Sequence, residues 1–355
     1  MPATANNRIF YATQAIQLQP QDRDGTKWQG GSDWITPLGI QSAGMTTNFN
    51  LEQVFTLGQL ELYDNIENVP EVQVTLNKVL DGTMPLYLIC MGGSALDASG
   101  KNIVELANNR VNFRLGIWPD NQGAASGTVQ NYVDCSGMYL SNFSYTIPVE
   151  GNATEDVTLV GNNKVWNSGT SMSVTQFDTE QSSSQTIRRY NLNYSGSTLP
   201  TGTAGIPVPS GRTKPYLQSV KISADLGREA IFELGAMAPY HRYVKFPLEV
   251  TSEFEIIAND GDQMNASDFD GLTGCGNVYK NVQDKTVIVQ VCGGESGDNL
   301  TLDLGAKNKL TSVNYSGGDT GGANATITYS FQTFNHFVMT GAGSFDDVNL
   351  VWPEN

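Results

Sequence analysis

The sequence predicts a mainly β protein with short helices, built as two tandem β-sandwich or barrel units related by internal duplication. Three observations carry that prediction. The chain has 355 residues, more than one hydrophobic core usually serves, so two units are the default division. Its apolar runs are short and rich in Val, Ile, Phe and Tyr between turns supplied by 37 glycines and many Ser, Thr and Asn residues, the composition of strands joined by turns. Finally, the sequence repeats itself.

The repeat is clearest where Gln41–Pro70 lies without a gap over Gln218–Pro247, with eight identities in 30 positions. Phe55, Gly58 and Pro70 of the first copy fall on Phe232, Gly235 and Pro247 of the second. Downstream, LYLICMGG (Leu86 to Gly93) resembles VIVQVCGG (Val287 to Gly294), and both read as an apolar strand ending in Gly-Gly. Asn152-Ala153-Thr154 falls on Asn324-Ala325-Thr326 at a smaller offset than the first match, so intervening loops differ in length. The polar stretch Ser173 to Thr186 reads as a linker. The units are therefore 1–172 and 187–355, joined by 173–186.

Within each copy the same elements are expected in order. Asn48 or Asn50 can cap a two-turn helix carrying Leu51, Val54 and Phe55 on one face, with Gly58 ending it; Asp225, Ile231, Phe232 and Gly235 repeat that plan. After Pro70 and Pro247 come the strands Val72–Leu80 and Leu248–Ile257. In the second, Leu248, Val250 and Phe254 alternate with Glu249, Thr251, Glu253 and Glu255, so one face is buried and the other wet.

Charge limits the function classes. With 36 acidic against 20 basic residues and a net charge of −16, the chain lacks the basic surplus by which proteins grip nucleic acid. No apolar run approaches the roughly 18 residues of a membrane-spanning helix. The N-terminus is polar, so a soluble, cytoplasmically made protein without membrane association is expected. Cys90, Cys135, Cys275 and Cys292 are scattered and only His241 and His336 accompany them, a poor inventory for zinc, and Cys90 and Cys292 read as buried thiols.

No catalytic constellation emerges. Asp260, Asp262, Asn265, Asp268 and Asp270 suggest a calcium loop, but their spacing is not that of an EF-hand, and a solvated acidic loop is the better reading. Neither histidine has a nucleophile in a strand-turn-helix setting. Trp28, Trp34, Trp118, Trp166 and Trp352 are dispersed, as core or interface anchors are, and not collected as a sugar-binding face. The expectation is a non-enzyme without cofactor or metal.

The segment Gln41 to Gly82, QSAGMTTNFNLEQVFTLGQLELYDNIENVPEVQVTLNKVLDG, resembles structural proteins of tailed bacteriophages, and the overall plan resembles their tail tube proteins. The resemblance implies β-sandwich units with a flanking helix, whose inner strands join those of neighbours into a ring-shaped barrel. Rings stack into the tube that conducts the genome. Most members carry one unit per chain and form hexamers, so two units per chain imply a trimeric ring with pseudo-sixfold symmetry. The implied partners are copies of the chain itself, other tail proteins and DNA in non-specific transit; the implied place is the virion tail, assembled in the host cytoplasm. Glu249, Glu253 and Glu255, or Gln73, Thr75 and Asn77 in the first copy, are expected on or near the channel wall. Met1 to Ile35 and Gly123 to Val129 are expected to bridge adjacent rings. Other readings are a tail terminator, baseplate or decoration protein and, more remotely, a carbohydrate-binding module.

Overall fold

In the computed structural model the described residues are 8–29, 34–121, 124, 128–169, 172, 174, 186–194, 198–202, 205–259, 261–262, 264, 269–270, 278–279, 284–293, 297–318 and 324–346. Most of the expected linker therefore lies outside them, as do Asp260, Asn265, Asp268, Cys275 and Trp352.

The fold is mainly β. The first half holds β1 (Gln14–Gln21), β2 (Ile40–Asn48), β3 (Leu51–Phe55), β4 (Leu62–Glu67), β5 (Glu71–Val79), α1 (Leu86–Met91), α2 (Ile103–Leu106), β6 (Arg110–Ile117), β7 (Asn131–Pro148), β8 (Thr154–Gly161) and β9 (Val165–Ser168). The second holds β10 (Leu192–Asn193), β11 (Leu217–Asp225), β12 (Glu229–Ile231), β13 (His241–Tyr243), β14 (Glu249–Ile257), β15 (Phe269–Asp270), β16 (Val278–Tyr279), β17 (Ile288–Cys292), β18 (Asn299–Asp303), β19 (Lys309–Ser316), β20 (Thr326–Phe334) and β21 (Val338–Ala342).

Eight of these strands form one path through a large sheet, in the order β19-β20-β14-β11-β7-β8-β5-β2. The long β7 bends out of it: its second half pairs with β8 and β11, its first half with β6 and β9, and β6 pairs with β1. A second, four-stranded sheet runs β10-β17-β18-β21. Most buried apolar side chains form one cluster that draws on both halves, from Ile16 to Phe345, and a smaller cluster gathers Ala15, Trp118, Ala124, Val129, Tyr132, Met172 and Val174. Phe337 helps to knit the halves together, lying 5.3 Å from Tyr87 and 4.9 Å from Phe143 between ring centroids.

The pairing registers of the two halves agree strand by strand. The β2–β5 ladder slips between Ile40 and Ser42, and the β11–β14 ladder slips between Leu217 and Ser219, the positions that the sequence match sets against them. The β7–β8 ladder slips between Leu140 and Asn142, and β19–β20 slips between Leu310 and Ser312, the corresponding place in the second half. Val72 of β5 answers to Val250 of β14 by burial pattern, and Thr154 of β8 to Thr326 of β20, with Leu80 N–H donating to Ala153 C=O as Ala258 N–H donates to Ala325 C=O. A bulge re-aims the side chains that follow it, so its recurrence at one address keeps the same faces inward in both halves.

Three sequence expectations are corrected. The segments after Asn48 and Asp225 are not helices: β3–β4 and β12–β13 are hairpins, with Glu52 opposite Ile66 as Glu229 is opposite Tyr243. Phe55 ends β3 and Phe232 directly follows β12, while Gly58 and Gly235 sit in the hairpin turns, both at φ +89°. The helical spacing of Leu51, Val54 and Phe55 misleads because these side chains cover no core, and periodicity reports a face only where one is buried. Second, Leu86–Met91 is a helix and only its supposed counterpart, Ile288–Cys292, is a strand; a short run buried on all sides has no period to distinguish the two states. Third, both prolines precede strands as expected, but Pro70 adjoins β5 whereas Pro247 stands one residue further from β14, so the offset between the halves changes by one just after the gapless match. In addition Gln14–Gln21, expected to reach a neighbouring ring, is a largely buried strand of this chain's own sheet.

Candidate functional site

The eight-strand path has one dry face and one wet face. Alternation sends Val72, Val74 and Leu76 inward from β5, and Val250, Ser252, Phe254 and Ile256 inward from β14. On the other face, one row of directly opposed residues crosses every strand: Ser42, Asn77, Asp156, Ser144, Ser223, Thr251, Gln332, Lys309. All eight are polar. Neighbours in the row bond to each other, Asn77 Nδ2 to Asp156 Oδ1 at 2.7 Å and the Ser223 and Thr251 hydroxyls at 2.9 Å.

Glu249, Glu253 and Glu255 lie on this same wet face, as do Gln73, Thr75 and Asn77. Glu253 stands opposite Lys221, and Glu255 opposite Ser219, whose hydroxyl donates to it at 3.0 Å. Asp156 and Asp225 add to the carboxylates, while Lys221, opposite Glu253, and Lys309, opposite Gln332, add cations. The wall is thus small, polar and net acidic, with no aromatic row on which bases would stack.

The path also has two ends. Each half contributes four strands in equivalent order, β2-β5-β8-β7 and β11-β14-β20-β19, and they join within the chain where β7 meets β11. There Val220, Ile222 and Ala224 oppose Ile147, Tyr145 and Phe143, all buried. The equivalents at the outer ends, β2 and β19, have their second edges unpaired among the described residues. Along β2, Ala43, Met45 and Thr47 are only half-buried, and Tyr315 of β19 is 52% exposed where its equivalent Tyr145 is 1% exposed.

Both hairpin arms carry exposed apolar side chains at matching places: Phe55, Leu57, Leu60 and Tyr63 on the first, Phe232, Leu234, Met237 and Tyr240 on the second. Sequence reading missed both the arms and the two sheet ends. The alternation of Ala43, Met45 and Thr47 signals a strand, but not that it is a terminal one.

The groups weighed for chemistry are held structurally. His241 is buried, its Nδ1 2.9 Å from Tyr139 Oη and its Nε2 3.4 Å from Asn108 Oδ1; burial and the nearby Arg23, Arg110 and Arg228 push its pKa below the ordinary value. His336 Nδ1 lies 3.3 Å from Asn102 Nδ2. Cys90 is sealed in the core and burial drives its thiol far up, while Cys135 is raised to about 11, chiefly by burial. Cys292, expected to be sealed as well, is half-buried. Of the acidic loop, Asp262 accepts from Met264 N–H and gives its carbonyl to Tyr329. Among the described residues no group of three His, Cys, Asp or Glu side chains is arranged to hold a metal. Trp118 is buried, Trp166 exposed, and Arg114 lies over Trp34 at 4.1 Å, so these tryptophans make no common face. Comparison of the chain with protein-family models and with curated proteins finds no match.

Proposed function

We propose that the chain is an internally duplicated, ring-forming structural protein, three copies closing a pseudo-sixfold barrel whose wet face lines the channel of a bacteriophage tail tube. The observation that supports this most is the β7–β11 seam. One half already pairs edge to edge with the other inside a single chain, and the equivalent edges remain at both ends. A sheet with two such ends grows by heterologous contact, and when the rotation per unit closes, it forms a ring without free edges. Six four-strand units would make a 24-stranded barrel.

The polar, acidic face suits a channel through which DNA passes without being held, because phosphate-binding cations are few there. The two apolar arms suit contact with other copies, since exposed patches of this kind mark protein interfaces. In this reading the protein resides in the virion tail, is assembled in the host cytoplasm, and meets other tail proteins at the ends of the tube.

A terminator, baseplate or decoration protein would present the same seam but would not stack indefinitely. Electron microscopy of the concentrated protein separates the readings: open-ended tubes of stacked rings are expected. Single closed rings would favour the alternative, and a protein monomeric at every concentration would overturn both.

A further inference from the structure

The open end at β2 is bordered by a cavity of about 790 Å³, lined by Ile16, Leu38, Ile40, Gln41, Ala43 and Leu115 among others. The same strand positions of the second half, Leu217, Gln218, Ser219 and Val220, border a cavity of only about 210 Å³. The end of β7 occupies part of that place: Ile147, Pro148 and Val149 line the smaller cavity. The first half thus has a vacancy where the second half has the end of a paired strand.

Resting on the ring reading above, we infer that this vacancy is the seat for β19 of a second copy, in a register fixed by the internal seam. Within the chain Ala224, Ser223, Ile222, Lys221 and Val220 oppose Phe143, Ser144, Tyr145, Thr146 and Ile147. Carried to the equivalent positions, Thr47, Thr46, Met45, Gly44 and Ala43 oppose Val313, Asn314, Tyr315, Ser316 and Gly317 of the second copy. Tyr315, half-exposed in the single chain, is then covered beside Met45, as Tyr145 is beside Ile222.

The arm supplies an independent check by charge. His241 of the second arm contacts Tyr139 across the internal seam. Its equivalent in the first arm, at the same hairpin position, is the exposed Asp64. The equivalent of Tyr139 is Lys309, an exposed lysine whose ammonium lies 2.7 Å from Asp284 of its own chain. The internal register therefore brings Asp64, exposed in the single chain, toward Lys309 of the second copy, a pairing of opposite charges. Nothing in the internal seam required that complementarity, because the internal pair is a histidine and a tyrosine.

Two sets of variants test the seat in the full chain. Directly opposed strand residues lie about 4.5 to 5.5 Å apart between Cα atoms, within disulfide reach, so Thr46→Cys with Asn314→Cys should link copies on mild oxidation. Peptide mapping by mass should place the bond at 46–314, and the displaced pair Thr46→Cys with Ser316→Cys should link at least tenfold less. Asp64→Lys alone should raise the concentration needed for rings at least tenfold, and adding Lys309→Asp should restore most of that loss. If the unaltered protein forms rings but the bond maps elsewhere, or the charge exchange fails to rescue, the seat is overturned while the ring reading stands. If the unaltered protein forms no rings at any concentration, the ring reading fails and takes the seat with it.

Discussion

Lys78 of β5 and Glu155 of β8 stand directly opposite one another, both fully buried. Lys78 Nζ donates to Asp81 at 3.0 Å, Thr83 at 2.7 Å and the Leu38 carbonyl at 2.8 Å. Glu155 accepts from the Leu86 and Tyr87 amides at 2.7 and 2.8 Å and from the Tyr145 hydroxyl. The carboxylate thereby anchors the first turn of α1, where Pro85 offers no side-chain cap. At the same address in the second half stand Ile256 and Ile327, and no α-helix follows β14 among the described residues.

Burial raises the Glu155 pKa above its ordinary 4.5, although Tyr145, the two amides and Lys78 oppose the shift. The folded state thus holds this proton more tightly than the unfolded chain does. The group's contribution to stability is full below pH 4.5 and is lost as pH rises through the raised folded value. Glu155→Gln should remove that pH dependence, seen as a flatter dependence of unfolding free energy on pH across the window. Glu155→Ala leaves two amides and the Tyr145 hydroxyl without their partner, and should cost about 3 to 5 kcal/mol in urea denaturation at neutral pH.

The inner and outer seams should differ in what a truncation costs. Ile222 is sealed against Tyr145, and Ile222→Ala should lose about 3 kcal/mol through burial and cavity terms. Its equivalent Met45 is half-buried, so Met45→Ala should lose about 1 kcal/mol in a dilute, single-copy sample. The Met45→Ala penalty should grow once rings form. Denaturation of each variant below and above the assembly concentration checks both halves of the expectation.

The mainly β class was legible because turn residues and β-branched runs report local preference directly. The wet face of β14 was legible because Glu249, Glu253 and Glu255 alternate with Val250, Phe254 and Ile256, a contrast that only a half-buried strand produces. The downstream match at Asn152-Ala153-Thr154 was legible too, since Thr154 opens β8 as Thr326 opens β20. The arms were not, because the first is exposed along nearly its whole length and what β13 of the second buries, His241 and Arg242, is polar, so neither shows the alternation of a half-buried strand. Nor was α1: its N-terminus is held by Glu155, 69 residues away from Leu86, and no local reading contains that bond. The seam lay furthest out of reach, since pairing β7 with β11 is a choice between distant edges that no short window encodes.

The arm turns provide a local test. At Gly58 and Gly235 an added Cβ would meet nothing within 4 Å, yet both sit at φ +89°, where side chains are strained. Gly58→Ala should therefore cost about 1 to 2 kcal/mol, confined to the β3–β4 hairpin, whose strands pair only with each other among the described residues. Amide exchange in residues 51–67 should quicken several-fold while the melting temperature of the whole protein stays unchanged.

The charge of the wet face should decide how the assembled protein treats DNA. Glu249, Glu253 and Glu255 are exposed or half-buried on the solvent side of β14, so exchanging them for lysine disturbs little of the core. The local penalties are at Glu255, which loses the bond from the Ser219 hydroxyl, and at Glu253, which faces Lys221; a like-charged pair there costs up to about 1 kcal/mol. The unaltered protein should not bind short duplex DNA at about 0.15 M salt, because a carboxylate-rich wall repels phosphate. The triple lysine variant adds three cations to each chain at the face we assign to the channel. Each phosphate it neutralises steepens the fall of log affinity with log salt by about 0.9. Fluorescence anisotropy with a labelled duplex across a salt series, after circular dichroism has confirmed the variant's fold, is the measurement. Binding that appears only in the variant and weakens steeply with salt supports the assignment. Tight, salt-sensitive binding by the unaltered protein would overturn the non-gripping channel, and a folded, ring-forming variant as inert as the parent would place these glutamates away from the DNA path.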